Sequence, residues 1–255
     1  VLASQGKLDE AMDAWKAYLS AHAAHAQWER VQRAIVDAEF RRAELAAEDE
    51  RFDAARKLYA DFGRDHPLDP RNADVLRRIA ETFAAEKKWE LARDGFDRCV
   101  QKYPGREESS FAQFRIGEIW ESQVFDYQKA LDAYRAVTWG SFAAAAQARI
   151  RRLEEKSLGL KTLRTFRSGE EASFQLTSRN LPEVRVRVYR LDLETWFRAT
   201  HLPGSVEKLD IEVIAPDKTF ASKVTEYVPY RETQRDVVIG FGQPGAYVVK
   251  VDDSE

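Results

Sequence analysis

The sequence predicts a multidomain α and β protein, with a helical solenoid over residues 1–157 and an antiparallel β-sandwich over 158–255. Three observations predict it. One apolar pattern repeats four times through the first part. After Lys156 the apolar period shortens from the helical to the strand value. Turn-forming residues then interrupt the chain at short intervals.

The repeated pattern is a large apolar residue, an alanine three later, and an aromatic four after that. It occurs as Leu8–Ala11–Trp15, Phe52–Ala55–Tyr59, Trp89–Ala92–Phe96 and Tyr127–Ala130–Tyr134. Offsets of three and four place all three side chains on one helix face. The small alanine admits a neighbouring helix, and the aromatic fills the space beside it. Pro67 and Pro104 each follow their alanine by 12 residues, where proline stops the second helix of a pair. About Gln27 to Glu48 a longer first helix is expected, which widens the spacing from Ala11 to Ala55 to 44 residues. Ala143 to Lys156 reads as a closing helix that packs on one side.

These residues resemble the tetratricopeptide repeat family over about Val1 to Lys156. Gly6-Lys7-Leu8-Asp9-Glu10-Ala11 is similar to the turn that joins the family's two helices. In the third unit Leu76, Ile79, Ala80, Phe83, Trp89, Ala92, Phe96, Cys99 and Pro104 fall at its packing positions. The fourth has Ile116, Gly117 and Trp120, with one extra residue placed in the turn at Val124–Asp126. On this reading Val1 sits inside a first helix. The chain is therefore expected to start mid-repeat, as a fragment with further repeats upstream.

Beyond Lys156-Ser157-Leu158-Gly159, Val184, Val186 and Val188 alternate with Arg185, Arg187 and Tyr189, the pattern of a strand apolar on one face. Further strands are expected over Ala172–Leu176, Leu209–Ile214, Asp236–Ile239 and Tyr247–Val251, and a helical turn over Leu193–His201. The order of these pieces resembles the amino-terminal, Ig-like β-sandwich of bacterial alpha-2-macroglobulin-like proteins. The residues that carry the likeness include Arg179-Asn180, Val186 to Glu194, Val206 to Asp210, Pro216-Asp217-Lys218 and Gly245 to Val249. The resemblance implies a structural module of a protease-trap endopeptidase inhibitor, periplasmic or extracellular. The reactive Cys–Gln thioester of that family has no counterpart here, because the β part contains no cysteine.

Composition narrows the function classes. A net charge of −3 over 255 residues offers no basic footprint for nucleic acid. No window approaches a membrane-spanning run. Arg41-Arg42 and Arg77-Arg78 stand among acids and read as solvated helix faces. The single cysteine, Cys99, occupies a packing position and reads as a buried, inert thiol. His22, His25 and Glu29 have the spacing of three ligands on one helix face but no fourth ligand nearby, so exposed histidines are expected and no metal. Asp192 and Glu194 are two carboxylates two residues apart, and the expected role of Asp192 is to cap the following helical turn. No catalytic residue and no cofactor is expected.

The candidate site is therefore a surface. Solenoids bind along the first helix of each pair. Away from the packing stripe, that face would present Asp74, Arg77 and Glu81 in the third unit and Phe111, Phe114, Glu118 and Glu121 in the fourth. Phe111 and Phe114 either form an apolar binding patch or pack against the preceding pair or the β domain. The leading reading is a non-catalytic scaffold of a larger bacterial alpha-2-macroglobulin-like protein, with a protein or peptide in the helical groove and neighbouring domains of the full-length chain as partners. The alternative is a repeat adaptor with a generic Ig-like spacer; a hydrolase stands third.

Overall fold

Ala11, Ala55, Ala92 and Ala130, the small residues of the repeated pattern, are each at most 2 % exposed in the computed structural model of the chain. The structure describes residues 7–22, 25–162, 164–167, 169–200, 214–240 and 243–253. Around those alanines the chain forms helices α1 (Leu8–Ala21), α2 (Trp28–Glu48), α3 (Phe52–Asp65), α4 (Asn72–Ala85), α5 (Trp89–Lys102), α6 (Glu107–Ile119), α7 (Tyr127–Arg135) and α8 (Ala143–Glu154). Each packs on the next through α7. α3 and α5 end two residues before Pro67 and Pro104, as proline requires.

The aromatics of the pattern fill the space between helices. Phe40 meets Tyr59 and Phe62 edge-on at 5.9 and 5.3 Å, in a core shared by α2, α3 and Val75 of α4. Phe96 and Cys99 lie in a second core with Ala80, Ala112, Ile116 and Ile119. At Gly95 a β-carbon would stand 2.9 Å from that of Ala80, so glycine there lets α4 and α5 approach closely.

The turns inside the pairs share one geometry. Glu50, Lys87 and Phe125 are left-handed, at φ 58°, 59° and 61°, and each precedes its buried alanine by five residues. The next N–H then reaches back over the helix end, from Arg51 to Ala46 O at 2.8 Å and from Lys88 to Phe83 O at 2.9 Å. In the fourth pair Asp126 N reaches one residue further, to Trp120 O at 3.0 Å. The extra residue expected in the Val124–Asp126 turn is thus taken up just before it, in a π-helical turn over Trp120–Val124. A widened helical turn absorbs one residue and leaves the left-handed turn and the Ala130 register unchanged.

The chain divides within α8 into two compact units, Val1–Ile150 and Arg151–Glu255. The second contains β1 (Ser157–Lys161), β2 (Ser173–Arg179), β3 (Glu183–Leu191), α9 (Leu193–Thr200), β4 (Lys218–Lys223), β5 (Thr233–Val238) and β6 (Ala246–Asp253). They form two three-stranded antiparallel sheets, in the orders β1-β2-β5 and β4-β3-β6. Val184, Val186 and Val188 of the central strand β3 are fully buried. They share one cluster with Phe174, Leu176 and Val237 of the other sheet.

Three expectations need correction. Tyr189, placed on the outward face with Arg185, is only 2 % exposed. β1 is a strand that was not expected: Leu158 packs on the core, but Leu160 and Lys161 are exposed, so this short edge strand leaves only a weak apolar period. β4 follows Pro216-Asp217 and is a strand that was not expected, since its alternation has only Phe220 as a large apolar residue. The strand expected over Leu209–Ile214 falls outside the described residues except for Ile214.

Asn180 holds the β2–β3 turn in place. It is left-handed, at φ 58°, a conformation asparagine tolerates. Its Nδ2 donates to Leu153 O at 2.6 Å and Glu155 O at 3.1 Å, and its Oδ1 accepts from Tyr230 N at 2.7 Å.

Candidate protein-binding face

The exposed side of α2, α4, α6 and α8 is patterned with arginines and carboxylates at offsets of three and four, a spacing that pairs charges along a helix. On α2 Arg41 pairs with Glu44 at 3.0 Å and with Glu48 at 2.8 Å. On α4 Arg77 donates to Asp74 through Nε at 2.8 Å and to Glu81 at 2.6 Å, while Arg78 takes the other oxygen of Asp74 at 2.6 Å. On α6 Arg115 pairs with Glu118 at 2.6 Å.

Three contacts extend these pairs across helices, joining α2 to α4 and α6 to α8 in two networks. Arg78 of α4 meets Glu44 of α2 at 2.9 Å. Arg149 of α8 meets Glu118 at 3.4 Å and Glu121 at 3.5 Å. Glu121 also accepts from the buried Tyr134 hydroxyl at 2.7 Å. Desolvation pulls the Arg78 guanidinium down, but Asp74, Tyr59 and Glu44 outweigh it and hold the group above its ordinary value. Burial pushes the Glu81 carboxyl up against the opposing pull of Arg77, Arg78 and Arg115. The two networks together are nearly self-neutral.

The structure brings Asp74, Arg77 and Glu81 together in one network and sets Glu118 and Glu121 in another. The two aromatics join neither. Phe111 is half-buried, with Phe142 at 5.1 Å, Phe96 at 6.3 Å and the Arg77 guanidinium over its ring at 5.1 Å. Phe114 is 8 % exposed, between Tyr134 and Phe142 at 5.5 Å each. These contacts are with α5, α7 and the segment before α8, so packing occupies Phe114 and leaves only part of Phe111 on the surface.

Sequence reasoning missed Glu44, Arg78, Arg115 and Arg149. The Arg41 and Arg42 side chains stay exposed, with Arg42 paired to the exposed Asp9 of α1 at 2.7 Å, whereas Arg78, expected to be solvated, bridges to Glu44 of α2. The available signal was their helical phase relative to the buried alanines. Which carboxylate each arginine meets on a neighbouring helix depends on packing alone.

The remaining candidates hold structural positions. Asp192 Oδ1 accepts from the N–H groups of Glu194 and Thr195 at 3.1 Å each, and Oδ2 from the Thr195 hydroxyl at 2.7 Å. Asp192 thus caps α9. The Thr195 side chain and backbone hold its carboxyl below the ordinary range, the opposite of what a general acid needs. Glu194 pairs with Arg198 at 2.5 Å. His25 Nδ1 sits 2.7 Å from the Tyr18 hydroxyl, and no metal-ligand cluster forms among the described residues. Cys99 is fully buried and burial pushes its thiol up to about 11. His66 follows α3 as its C-cap and meets Glu39 at 2.7 Å. No helix among the described residues is long and apolar enough to cross a membrane.

Residues 74–106 match the family model described as Tetratricopeptide repeat. The match covers α4 and α5, the pair whose packing residues resemble the family in sequence. The curated proteins contain no match. Among solved structures, a tetratricopeptide repeat protein from Parabacteroides merdae ATCC 43184 is similar at 14 % identity and a TM-score of 0.38. That similarity covers 59 % of this chain and 55 % of that one, so the chain spans about half the length of its structural neighbour. The family match over residues 74–106 and the succession of helix pairs make the first unit a tetratricopeptide-like helical array, followed by antiparallel sheets.

Proposed function

We propose that this chain is a non-catalytic protein-interaction scaffold. The helical array would hold a protein or peptide along α4 and α6, with Asp74, Arg77, Glu81, Glu118 and Glu121 as hydrogen-bonding contacts and the exposed part of Phe111 beside them. The observation that carries the reading is the tetratricopeptide match over residues 74–106, since arrays of such helix pairs present their first helices to partners.

The test is selection from a random peptide library on the immobilised 255-residue chain, followed by binding of enriched peptides to R77A/E81Q. Peptides that bind this face lose at least about tenfold in affinity, the scale of one or two lost charge-assisted bonds. An unchanged affinity across all enriched peptides would reject the face.

The setting of the scaffold is a finer reading. A segment of a bacterial alpha-2-macroglobulin-like protein and a repeat adaptor with an unrelated Ig-like spacer fit the fold about equally. Treatment of the full-length protein with a broad-specificity protease separates them. Thiol release with covalent capture of the protease supports the trap, and their absence removes a thioester-dependent one.

A further inference from the structure

Arg235 of β5 reaches from one sheet to the other and finds only neutral oxygens. Thr233, Arg235 and Val237 share one side of β5, and Val237 lies in the core. From that inward side Nη1 donates to Ser178 Oγ of β2 at 2.9 Å. Nε donates to Ser222 Oγ of β4 at 3.3 Å, and Nη2 to Ser222 O at 3.4 Å. Ser178 is 1 % exposed, and its carbonyl accepts from the Thr233 hydroxyl at 3.2 Å.

A half-buried guanidinium is costly unless a negative charge answers it. Nearby arginines have one: Arg187 pairs with Asp252 and Arg179 with Glu232 at 3.8 Å. No carboxylate among the described residues pairs with Arg235. Desolvation alone acts on the group and lowers its proton affinity. Three of its five N–H groups are used, which leaves one on each terminal nitrogen. Two such N–H groups suit the two oxygens of a carboxylate or phosphate. The Ser222 hydroxyl accepts from Arg235 and keeps its own hydrogen to donate, whereas the Ser178 hydroxyl accepts from Arg235 and stands 3.4 Å from Thr233 Oγ1.

We propose that Arg235, positioned by Ser178 and joined by the Ser222 hydroxyl, forms an oxyanion-binding site between the two sheets. It takes a carboxylate or phosphate-type group through the two terminal nitrogens, and the bound charge completes the inter-sheet brace. A free oxyanion and a carboxylate side chain of another protein share this chemistry.

The test is thermal unfolding of the 255-residue chain with inorganic phosphate, acetate or chloride at equal ionic strength. Phosphate and acetate are expected to raise the midpoint saturably, and chloride not. R235K keeps the charge and loses the fork, and is expected to weaken the response at least about tenfold. S178A/S222A keeps Arg235 and covers the case in which R235K does not fold; it is expected to shift the half-saturation concentration upward. Saturation by acetate but not phosphate assigns the site to carboxylates, and by implication to a protein side chain. Equal responses to all three anions, or a response that is the same in every variant, would overturn the proposal.

Discussion

Gly117 of α6 lies against the ring of Tyr134 of α7, so close that a β-carbon would stand 2.5 Å from Cε1 and 2.6 Å from Cδ1. Tyr134 is fully buried and tied to Glu121, so the ring cannot swing away. Alanine gains about 1 kcal/mol of helix propensity over glycine, whereas overpacking costs about 1–3 kcal/mol. G117A is expected to lower the midpoint of denaturant unfolding. A midpoint equal to or above the parent's would mean that α6 and α7 part without loss.

Lys87 pays a left-handed penalty that glycine avoids, at the position where the first pair has Gly6. Relief of that strain is worth about 1–2 kcal/mol, and the extra freedom of glycine in the unfolded chain removes about 0.4–1 kcal/mol. K87G should therefore stabilise the helical unit by about 0.5–1 kcal/mol. K87V should destabilise it, because a β-branched residue fits φ 59° worse. Paired melts of the two variants check the sign.

The Glu44–Arg78 contact joins α4 to α2, with side chains 18 % and 31 % exposed. A double-mutant cycle with E44Q and R78Q should give a coupling of about 1–2 kcal/mol, above the usual surface range. The Arg64–Asp61 pair within α3, whose arginine is 68 % exposed, serves as the control and should give a clearly smaller coupling. Equal couplings would deny the Glu44–Arg78 contact a role between helices.

Cys99 should be slow to react. A thiol near 11 is almost wholly protonated at pH 8, and burial blocks the reagent as well. Reaction with a disulfide reagent is expected to run at least about a hundredfold slower than with a free thiol, and to accelerate in urea. Fast native-state labelling would contradict the packing of Ala80, Phe96 and Cys99.

Asp192 sets a pH dependence. Its folded carboxyl lies below the unfolded value of about 3.9. The capping contribution is therefore complete above that value and is lost as pH falls through the lower folded value. Carbon-detected titration should place its midpoint below that of exposed aspartates, and D192A should remove amide protection at Glu194 and Thr195. An ordinary midpoint would mean that the cap is absent in solution.

The helical half was legible because its signals are local. Ala55, Ala92 and Ala130 with their aromatics declare a face, and Pro67 and Pro104 declare ends. The Val184–Val188 alternation likewise announced β3, and Asp192 its cap. β1 and β4 escaped because edge strands bury little and leave a weak period. The π-turn escaped because one added residue can enter at any nearby turn. For the candidate face, Asp74, Arg77 and Glu81 could be placed on one side of a helix from their offsets. That Phe114 would be packed away, or that Arg235 would lie between sheets with no carboxylate partner among the described residues, had no local signature.

The repeat, the change of period and the side chains that each element buries follow from residue spacing, because they depend on the geometry of a single helix or strand. Which charges meet depends instead on packing between elements. Glu44 and Arg78 are 34 positions apart, Glu118 and Arg149 31, and Ser178 and Arg235 57. Contacts at such separations depend on how elements stack, and side-chain distance, unlike helical phase, is not encoded in spacing along the chain.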